Sequence, residues 1–459
     1  MTTQERRLVQ SEIGALKKML ARLPESSVID RMSLEARKKS LEEELASQRQ
    51  AGAEEVPPGY KRTEVGVIPE EWEVVTLGKV CTLYNGRAYA LSEWEDIGVP
   101  VIRLQNLTGS NDYYYSRLNL PEQKYCKRGD LLYMWSATFG PQIWNGEWAI
   151  YHYHIWKVVP HNDITSQQYL FYKLEEITEE KKTRASNGGT MLHVTKASME
   201  STPISLPPLP EQRAIAAALS DADGLIGALD TLIEKKRAIK QAAMQQLLTG
   251  KKRLPGFEGK WETKRLGEVA SIRNQKVLPS NVDPDTLCVE LEHIGQGDGR
   301  LLEVSIAQNS TSSKYRFFTG DVLFGRLRSY LRKFWHADRD GICTTEIWPL
   351  MVDESRLVSG FLYSTVQSNR FIEAASISYG THMPRADWNV MKNFEIHLPP
   401  LPEQTAIAAV LSDMDAEIAA LERRREKAEQ IKQGMIQQLL TGKVRLVEAE
   451  CKGAQPYAE

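Results

Sequence analysis

The segment LPPLPEQRAIAAALSDADGLIGALDTLIEKKRAIKQAAMQQLLTGKKRL, Leu206–Leu254, recurs as LPPLPEQTAIAAVLSDMDAEIAALERRREKAEQIKQGMIQQLLTGKVRL, Leu398–Leu446. The copies align without a gap and are identical at roughly two-thirds of their positions, which chance does not supply. Weaker echoes precede each copy, because PEEWEVVTLGKV around Trp72 resembles FEGKWETKRLGEV around Trp261, and KRGDLLY resembles FTGDVLF. The chain therefore consists of two related halves, and their sequences diverge between these matching segments.

Both copies predict a long helix. Each would cover about 40 residues, or roughly 60 Å at 1.5 Å per residue. Pro210 suits a first helical turn and Gly250 a C-terminal stop. Apolar residues step by three and four, as in a coiled coil, and resume after a polar run with a stutter. The predicted seam consists of Ile215, Leu219, Ala222, Ile226, Leu229, Ile233, Ile239 and Leu247 in the first copy, and of Ile407, Leu411, Met414, Ile418, Leu421, Ile431, Met435 and Leu439 in the second.

Two helices so alike favour each other as partners over packing in separate cores. If a pseudo-twofold axis relates the halves, the helices run antiparallel and carry the variable domains at opposite ends. The first 50 residues have no counterpart in the second half; TTQERRLVQSEIGALKKMLARL opens with a capping box of Thr2 and Glu5, and SLEARKKSLEEELA follows as a second helix. The predicted divisions are an N-terminal helical hairpin (1–56), a variable domain (57–205), a central helical region (206–254), a second variable domain (255–397), a C-terminal helical region (398–446) and a tail (447–459).

The variable domains contain short β-branched and aromatic runs bounded by turn residues, which are typical of strands. Examples are VPVIRLQNL, DLLYMW, EWAIYHYHIWKVV, DVLFGRL and ICTTEIWPLMV, and helical stretches such as SQQYLFYKLEEI interrupt them. Each domain is therefore expected to be α+β and rich in loops. In the run EWAIYHYHIWKVV, His152 and His154 would alternate along one strand and so share a face.

Composition bounds the class of protein. At one to two hundred residues per domain, 459 residues suggest about three domains, and 42% hydrophobic with 26% charged residues is a globular balance. No apolar run could span a bilayer and the start is not a signal peptide, so no membrane association and a cytoplasmic location are expected. Five cysteines without a CxxC pair disfavour disulfides and zinc ribbons. The net charge of −2 means that any nucleic-acid surface must be local.

Motifs for catalysis are missing from the sequence. LPPLP carries leucines where an adenine methyltransferase needs Asn or Asp before Pro-Pro, and neither Gly-Lys pair belongs to a P-loop. Pro284-Asp285 with Glu290 and Glu292 only loosely resembles a nuclease metal site. His152 and His154 lack a third ligand at suitable spacing, and no GxSxG elbow occurs. The chain is therefore predicted to be non-catalytic, without a cofactor or metal of its own.

Basic and aromatic residues cluster locally, as in proteins that bind polyanions. Arginines in loops after strands can reach guanine edges, lysines mostly hold phosphates, and the sequence does not divide the candidates between these roles. A solvated surface loop is the plain alternative for any single residue. The candidates for DNA binding are Arg273, Lys276, Arg326, Arg328, Tyr330, Arg332, Lys333, His382 and Arg385 in the second variable domain, and Arg87, Tyr89, Arg103, Gln105, Asn106, Ser136, Thr138, His193 and Lys196 in the first.

The two-half organisation, with W-x-x-x-x-L-G-x-V openings, Gly-Asp strands, P-P-L-P-E-Q entries and helices ending Q-Q-L-L-T-G-K, resembles the specificity subunit of type I restriction-modification enzymes. The resemblance covers about residues 57–446. It implies two target-recognition domains, each reading half of a bipartite sequence in double-stranded DNA, and two conserved helical regions that space them and recruit two modification (methyltransferase) subunits. It also implies that S-adenosylmethionine, ATP and magnesium serve the modification and restriction subunits. The N-terminal hairpin departs from the family's usual form.

Two other interpretations are open. A coiled-coil scaffold protein without DNA readout would share the long helices but would not need loops rich in arginine and aromatic residues. A stand-alone enzyme acting on DNA would need a cofactor motif.

Overall fold

A computed structural model of the chain describes residues 56–136, 138–186, 194–377 and 384–446, together with Lys17 and Lys38. The predicted N-terminal hairpin lies outside the described residues. The chain divides into two compact units: the first holds the described residues up to Asp221 and from Lys432 onward, and the second is Ala222–Ile431. The six divisions drawn from the sequence remain a prediction. Among the described residues no helix is both long and apolar enough to cross a membrane.

Among its described residues, the first unit is built from short strands, four helices of its own and segments of two long helices. Its strands are β1 (Tyr60–Thr63), β2 (Gly66–Pro69), β3 (Glu73–Thr76), β4 (Cys81–Asn85), β5 (Val99–Ile102), β6 (Tyr114–Ser116), β7 (Tyr125–Cys126), β8 (Leu131–Ser136), β9 (Thr138–Ile143), β10 (Ala149–Tyr151), β11 (Ile155–Pro160) and β12 (Pro203–Leu206). Its helices are α1 (Leu77–Val80), α2 (Leu104–Leu107), α3 (Gln167–Ser186) and α4 (Lys196–Glu200), and the first long helix is α5 (Leu209–Leu247).

The second unit has a similar composition of elements. Its strands are β13 (Glu262–Arg265), β14 (Ala270–Ile272), β15 (Lys276–Val277), β16 (Leu287–Val289), β17 (Ser305–Ile306), β18 (Lys314–Phe317), β19 (Val322–Gly325), β20 (Phe334–His336), β21 (Gly341–Thr344), β22 (Ile347–Val352) and β23 (Glu395–Leu398). Its helices are α6 (Leu266–Val269), α7 (Ser359–Gln367), α8 (Asn369–Ser376), α9 (Trp388–Met391) and the second long helix α10 (Leu401–Leu439).

The two units share one sheet topology although their sequences differ. The order β4-β11-β8-β9 in the first unit corresponds to β14-β22-β19-β20 in the second. The order β6-β5-β10-β7 corresponds to β17-β16-β21-β18, with β15 added at the edge. Each of these second sheets contains one parallel pair, β5 with β10 and β16 with β21. The predicted internal repeat of two α+β domains is therefore confirmed.

One predicted strand is divided in the structure. The run EWAIYHYHIWKVV forms β10 and β11, which belong to different sheets, and His152–His154 make the turn between them. The prediction that both histidines lie along a single strand is therefore wrong. Alternation of apolar residues continues through the turn, and this continuity hides the change of sheet from the sequence.

The long helices pair antiparallel within the second unit. Lys236 Nζ lies 2.6 Å from Glu417 Oε1, and Lys240 Nζ lies 2.5 Å from Asp415 Oδ1. Arg425 pairs with Asp230. Because partners on α10 move toward its N-terminus as the position on α5 advances, the two helices run in opposite directions. The predicted antiparallel coiled coil is confirmed.

The predicted stutter in the seam is wrong. Ile239 and Ile431, which the sequence assigned to the seam, have 45% and 53% of their surface exposed. The steps of four and three instead continue on α5 from Ile233 through Lys236 and Lys240, whose ammonium groups meet the carboxylates on α10. Long basic side chains can bury their methylene stems while their charge is paired, so they occupy seam positions without interrupting the heptad.

In each unit, a buried carboxylate at the start of a long helix links distant parts of the chain. In the first unit Glu211 is 1% exposed and accepts hydrogen bonds from Trp72 Nε1 (2.8 Å) and from Arg445 Nε (2.6 Å). Glu403 in the second unit is fully buried and accepts from Arg253 Nε (2.9 Å) and Trp261 Nε1 (3.2 Å). The glutamate of each Pro-Glu-Gln turn thus joins the opening tryptophan of its unit to the arginine that follows the other long helix.

The glutamine after each of these glutamates fixes the helix to its variable domain. Gln212 accepts from the Ser166 amide (3.0 Å) and donates to the Ile164 carbonyl (2.9 Å). In the second unit Gln404 accepts from the Val358 amide (2.9 Å) and donates to the Arg356 carbonyl (2.9 Å). Each amide side chain replaces backbone pairing for a loop whose buried groups would otherwise lack partners.

Substitution Glu211→Ala should lower the free energy of unfolding of the first unit by about 3 kcal/mol. It leaves the buried indole N–H of Trp72 without a hydrogen-bond partner and the partly buried Arg445 charge without its counter-ion. Glu403→Ala should have the same effect on the second unit. The control Glu147→Ala removes an ion pair whose side chains are 66% and 87% exposed, and should change stability by less than about 0.5 kcal/mol. Urea denaturation of the full chain measures all three. An equally small loss of free energy of unfolding for Glu211→Ala and Glu147→Ala would show that the buried carboxylate does not stabilise the first unit.

Candidate nucleic-acid interface

Three chain segments of the second unit meet at one end of its four-stranded sheet. The strand β19 ends at Gly325, and the following Arg326 donates its amide to the Glu346 carbonyl (2.8 Å). On the other side, the Ala386 amide donates to the Arg326 carbonyl and the Arg328 amide to the Pro384 carbonyl, both at 2.8 Å. These backbone bonds bring Arg326, Arg328 and Arg385 together although one of them lies far along the chain.

One carboxylate organises this arginine cluster. Glu346 accepts from Arg385 Nε (3.0 Å) and Arg385 Nη2 (2.9 Å), with the two side chains 29% and 39% exposed. The hydrogen bond to Glu346 raises the pKa of the Arg385 guanidinium. Arg326 lies 5.6 Å from the centroid of the Trp348 ring, and its Nε is buried without a hydrogen-bond partner among the described residues. The cluster therefore holds three guanidinium groups against one acid.

The loop after β19 holds two arginines in strained backbone conformations. Arg328 and Arg332 have φ of 50° and 52°, and they flank a short 3₁₀ helix, Ser329–Leu331. They are the non-glycine residues with positive φ among the described parts of the chain. The left-handed region costs about 1 to 2 kcal/mol for a residue with a Cβ, and such strain concentrates at functional sites. Arg328 is exposed, and its guanidinium makes no hydrogen bond or ion pair within the described segments.

Other basic candidates in this unit act within the fold. Arg332 donates to the Gln367 carbonyl (3.1 Å) and to Asn369, and Lys333 donates to the Leu291 carbonyl (2.7 Å). Arg273 forms two bonds, of 2.8 and 2.9 Å, to the buried Asp321. These placements give no support to the prediction that these three residues bind DNA. Lys276 and Tyr330 are exposed, and Tyr330 lies in the strained loop.

In the first unit, guanidinium and aromatic groups meet beside a different sheet, the one ordered β6-β5-β10-β7. The Arg103 guanidinium lies 4.3 Å from the Tyr114 ring centroid and 5.5 Å from the Trp94 ring centroid. Its Nε is buried and has no hydrogen-bond partner in the described structure. Arg87 lies 5.1 Å from the Tyr89 ring and pairs with Glu93. Two guanidinium groups are thus held by aromatic faces, which attract cations.

His152 lies beside this cluster at the turn where the chain changes sheet. Its ring centroid is 6.3 Å from that of Tyr89 and 5.3 Å from that of His154. Burial, together with the charges of His154 and Arg103, lowers the pKa of His152 to about 4. Burial also raises the pKa of the Tyr89 hydroxyl, whose oxygen has no partner within the described residues. The neutral imidazole therefore offers hydrogen bonds without adding charge.

The remaining candidates of the first unit are placed unequally. Asn106 is 8% exposed and its amide bonds to the backbone of Arg103, Ser110 and Asp112, so this placement supports a structural role and gives no support to DNA contact. Gln105 is exposed on the same short helix. Ser136 and Thr138 face each other at the tip of the β8–β9 hairpin, and Lys196 pairs with Glu200 at 3.4 Å.

Two predicted residues, His193 and His382, lie outside the described residues. Three further residues that were not predicted from the sequence organise the surfaces, namely Glu346, Trp94 and Tyr114. A signal for Glu346 existed, because it is an acidic residue within the apolar run ICTTEIWPLMV.

Within the described parts of the chain no group of three or more His, Cys, Asp or Glu side chains could hold a metal ion. Burial raises the pKa of the Cys81 and Cys126 thiols to about 12.

Two similar α+β units, each with guanidinium and aromatic groups at one surface, define a duplicated binding fold. Residues 69–238 and 258–433 each match the family described as the type I restriction modification DNA specificity domain. The two matches cover more than half of the chain and correspond to the halves of the repeat. The chain therefore belongs to this family.

The chain is similar to specificity subunits of type I restriction enzymes. The chain is 26% identical over 405 residues to the type I restriction enzyme MjaVIII specificity subunit of Methanocaldococcus jannaschii, covering 83% of this chain and 94% of the relative. It is 21% identical over 394 residues to the EcoDI specificity subunit of Escherichia coli, covering 78% and 84%. Among solved structures, the S subunit of a type I restriction-modification system from M. genitalium has a TM-score of 0.52 at 12% identity, covering 80% and 96%. At this identity the likeness concerns the fold.

The lowered pKa of His152 makes a testable contribution to stability. With a folded-state pKa of about 4 and an ordinary unfolded value near 6.5, the unfolded chain binds the proton more readily between these limits. The contribution is therefore present above pH 6.5 and is lost as the pH falls toward 4. Histidine NMR titration should show a resonance, absent from His152→Asn, with a midpoint near 4. A midpoint near 6.5 would refute the burial argument.

Proposed function

We propose that this chain is the DNA specificity subunit of a type I restriction-modification complex. In this proposal each unit reads one half of a bipartite sequence in double-stranded DNA. The observation that carries the proposal is that one sheet topology, repeated in a chain of this family, presents two chemically different surfaces. A scaffold without DNA readout would not need that difference. The long helices would then set the separation of the two half-sites.

The two surfaces should recognise DNA by different chemistry. In the second unit, Arg326, Arg328 and Arg385 supply positive charge and N–H donors, which suit phosphates and guanine edges. In the first unit, Arg103 and Arg87 are packed against aromatic rings, and Gln105, Ser136 and Thr138 supply neutral polar groups. We expect its readout to depend more on amides, hydroxyls and apolar contacts. Two unlike surfaces are suited to an asymmetric target.

The chemistry of modification and cleavage would belong to partner subunits. The proposed partners are two modification subunits, which would methylate DNA with S-adenosylmethionine, and restriction subunits, which would use ATP and magnesium. Support comes from the similar proteins, which are named as specificity subunits of type I restriction enzymes. The chain itself would be non-catalytic. Because such a complex acts on the host chromosome, we propose a cytoplasmic location.

An exposed apolar stripe on α5 suits one of the partners. Leu225, Leu232 and Ile239 recur every seven residues and are 44%, 38% and 45% exposed. Residues at this spacing lie on one side of a helix. Small residues, Ala228 and Ala238, are exposed beside them and would let another helix approach closely. We propose that a modification subunit packs on this stripe.

The equivalent face of α10 is more polar. The positions that correspond to the stripe in the repeat carry Glu417, Arg424 and Ile431. A second modification subunit would therefore meet a different surface, and we expect the two to bind with unequal affinity.

Exchange of residues 57–204 for the corresponding domain of another such subunit tests the division of recognition. The exchanged chain, expressed with its modification subunits, should methylate a sequence in which one half-site is new and the other is unchanged. Sequencing of methylated bases in the host genome identifies both halves. Changes in both halves together would contradict the proposal, and loss of sequence preference with retained complex formation would favour a scaffold.

The docking stripe is tested by Leu232→Glu, which places a charge in the proposed apolar interface. The substitution should weaken binding of the modification subunit at least about tenfold, because the carboxylate would have to be desolvated without a partner. Leu302→Glu is the control, since Leu302 is 61% exposed and lies in the variable domain. Titration calorimetry or gel filtration measures the effect. Equal affinity for both variants would exclude this face as the docking site.

A further inference from the structure

The pair Arg385 and Glu346 leaves one edge of the guanidinium open. Glu346 occupies Nε and one hydrogen of Nη2. An arginine has five N–H donors, so both hydrogens of Nη1 and the second hydrogen of Nη2 remain. The open edge presents two parallel N–H groups, one from each terminal nitrogen, in the geometry that a bidentate acceptor requires.

The structure fixes the direction of this edge. The Leu327–Arg385 bridge and the Ala386 bond to Arg326 hold the backbone, while Glu346 holds the other end of the side chain. Both side chains keep part of their surface exposed, at 39% and 29%. The guanidinium is therefore oriented before any ligand arrives, and little rotamer entropy is lost on binding.

We infer that Arg385, positioned by Glu346, reads a guanine in the half-site of the second unit. The inference rests on the proposed function and adds the identity of the base. Guanine offers two acceptors, O6 and N7, side by side in the major groove, whereas adenine replaces O6 with a donor amine. Two fixed, parallel N–H groups match guanine and not the other three bases.

The neighbouring acid separates this role from phosphate binding. A carboxylate beside Arg385 repels a phosphate, so a site designed only to hold the DNA backbone would gain from its absence. Arg328 is the contrasting case, since it is exposed, has no ion-pair partner among the described residues and sits on the strained loop. Arg328 is therefore assigned to phosphate contact, and Glu346 is a positioning residue for Arg385.

The test selects duplexes from a random library with the full chain assembled with its modification subunits, and sequences the bound fraction. Arg385→Ala should lose preference for guanine at one position of one half-site by about tenfold and leave the other positions unchanged. Arg385→Lys should lose it as well, because an ammonium cannot make the paired contact. Glu346→Gln should retain part of the preference, since its amide oxygen still accepts one N–H. Glu346→Ala should lose more and should bind unrelated duplexes more tightly.

Two controls calibrate these variants. Arg328→Ala should weaken binding to every sequence alike and flatten the salt dependence. Arg339→Ala removes an exposed arginine that makes the same two-bond contact with Asp338, at 2.7 and 3.3 Å, after the strand β20. Arg339 lies at the opposite end of the β19–β20 hairpin from Arg326. Arg326 follows the end of β19, whereas Arg339 follows His336, which pairs with Val322 at the start of β19. This variant should change neither affinity nor preference.

Several outcomes would overturn the inference. A uniform loss of affinity for Arg385→Ala would make it a phosphate contact, and no change would place it off the DNA. Loss of preference for a base other than guanine would refute the chemical match. Retained preference at the other positions of the same half-site verifies that the second unit of each variant is folded. If the unaltered complex enriches no sequence at all, the proposed function fails instead.

Discussion

The buried carboxylate of the Pro-Glu-Gln turn is the interaction on which each unit depends. Glu211 and Glu403 are shielded from water, so each must be paired, and the partners are an indole and a guanidinium from distant parts of the chain. A change in any partner leaves a buried charge or donor unmatched. This constraint explains why the turns and helix ends repeat closely, whereas the strands between them, which need only an apolar face, differ.

The duplicated helices and the α+β class could be predicted because they depend on local patterns. Gly250 and Gly442, at the predicted helix ends, have φ of 68° and 71°. The course of the seam could not be predicted in the same way. The apolar Ile239 looked like a seam residue, but Lys240 occupies that position because Asp415 lies opposite. A pattern of hydrophobicity does not register a charge whose partner is on another helix.

The composition of the two surfaces could be predicted from the sequence, but the contacts of their individual residues could not. A run of arginines and lysines after β19 indicated a basic loop, yet Arg332 and Lys333 turn inward to backbone carbonyls while Arg328 stays exposed. Asn106, a predicted DNA contact, holds its own loop in the structure. In each case the deciding partner is set by the tertiary fold. Sequence identifies which groups are available, and the fold decides which of them are already engaged.

The left-handed backbone at Arg328 has a consequence for attempts to make this protein more heat-resistant. Glycine is the residue that relieves such strain most readily. A screen for thermostable variants would therefore tend to recover Arg328→Gly, and under the proposed role it would discard a phosphate contact with the same substitution. At this position, selection for stability favours glycine, whereas selection for DNA affinity favours arginine.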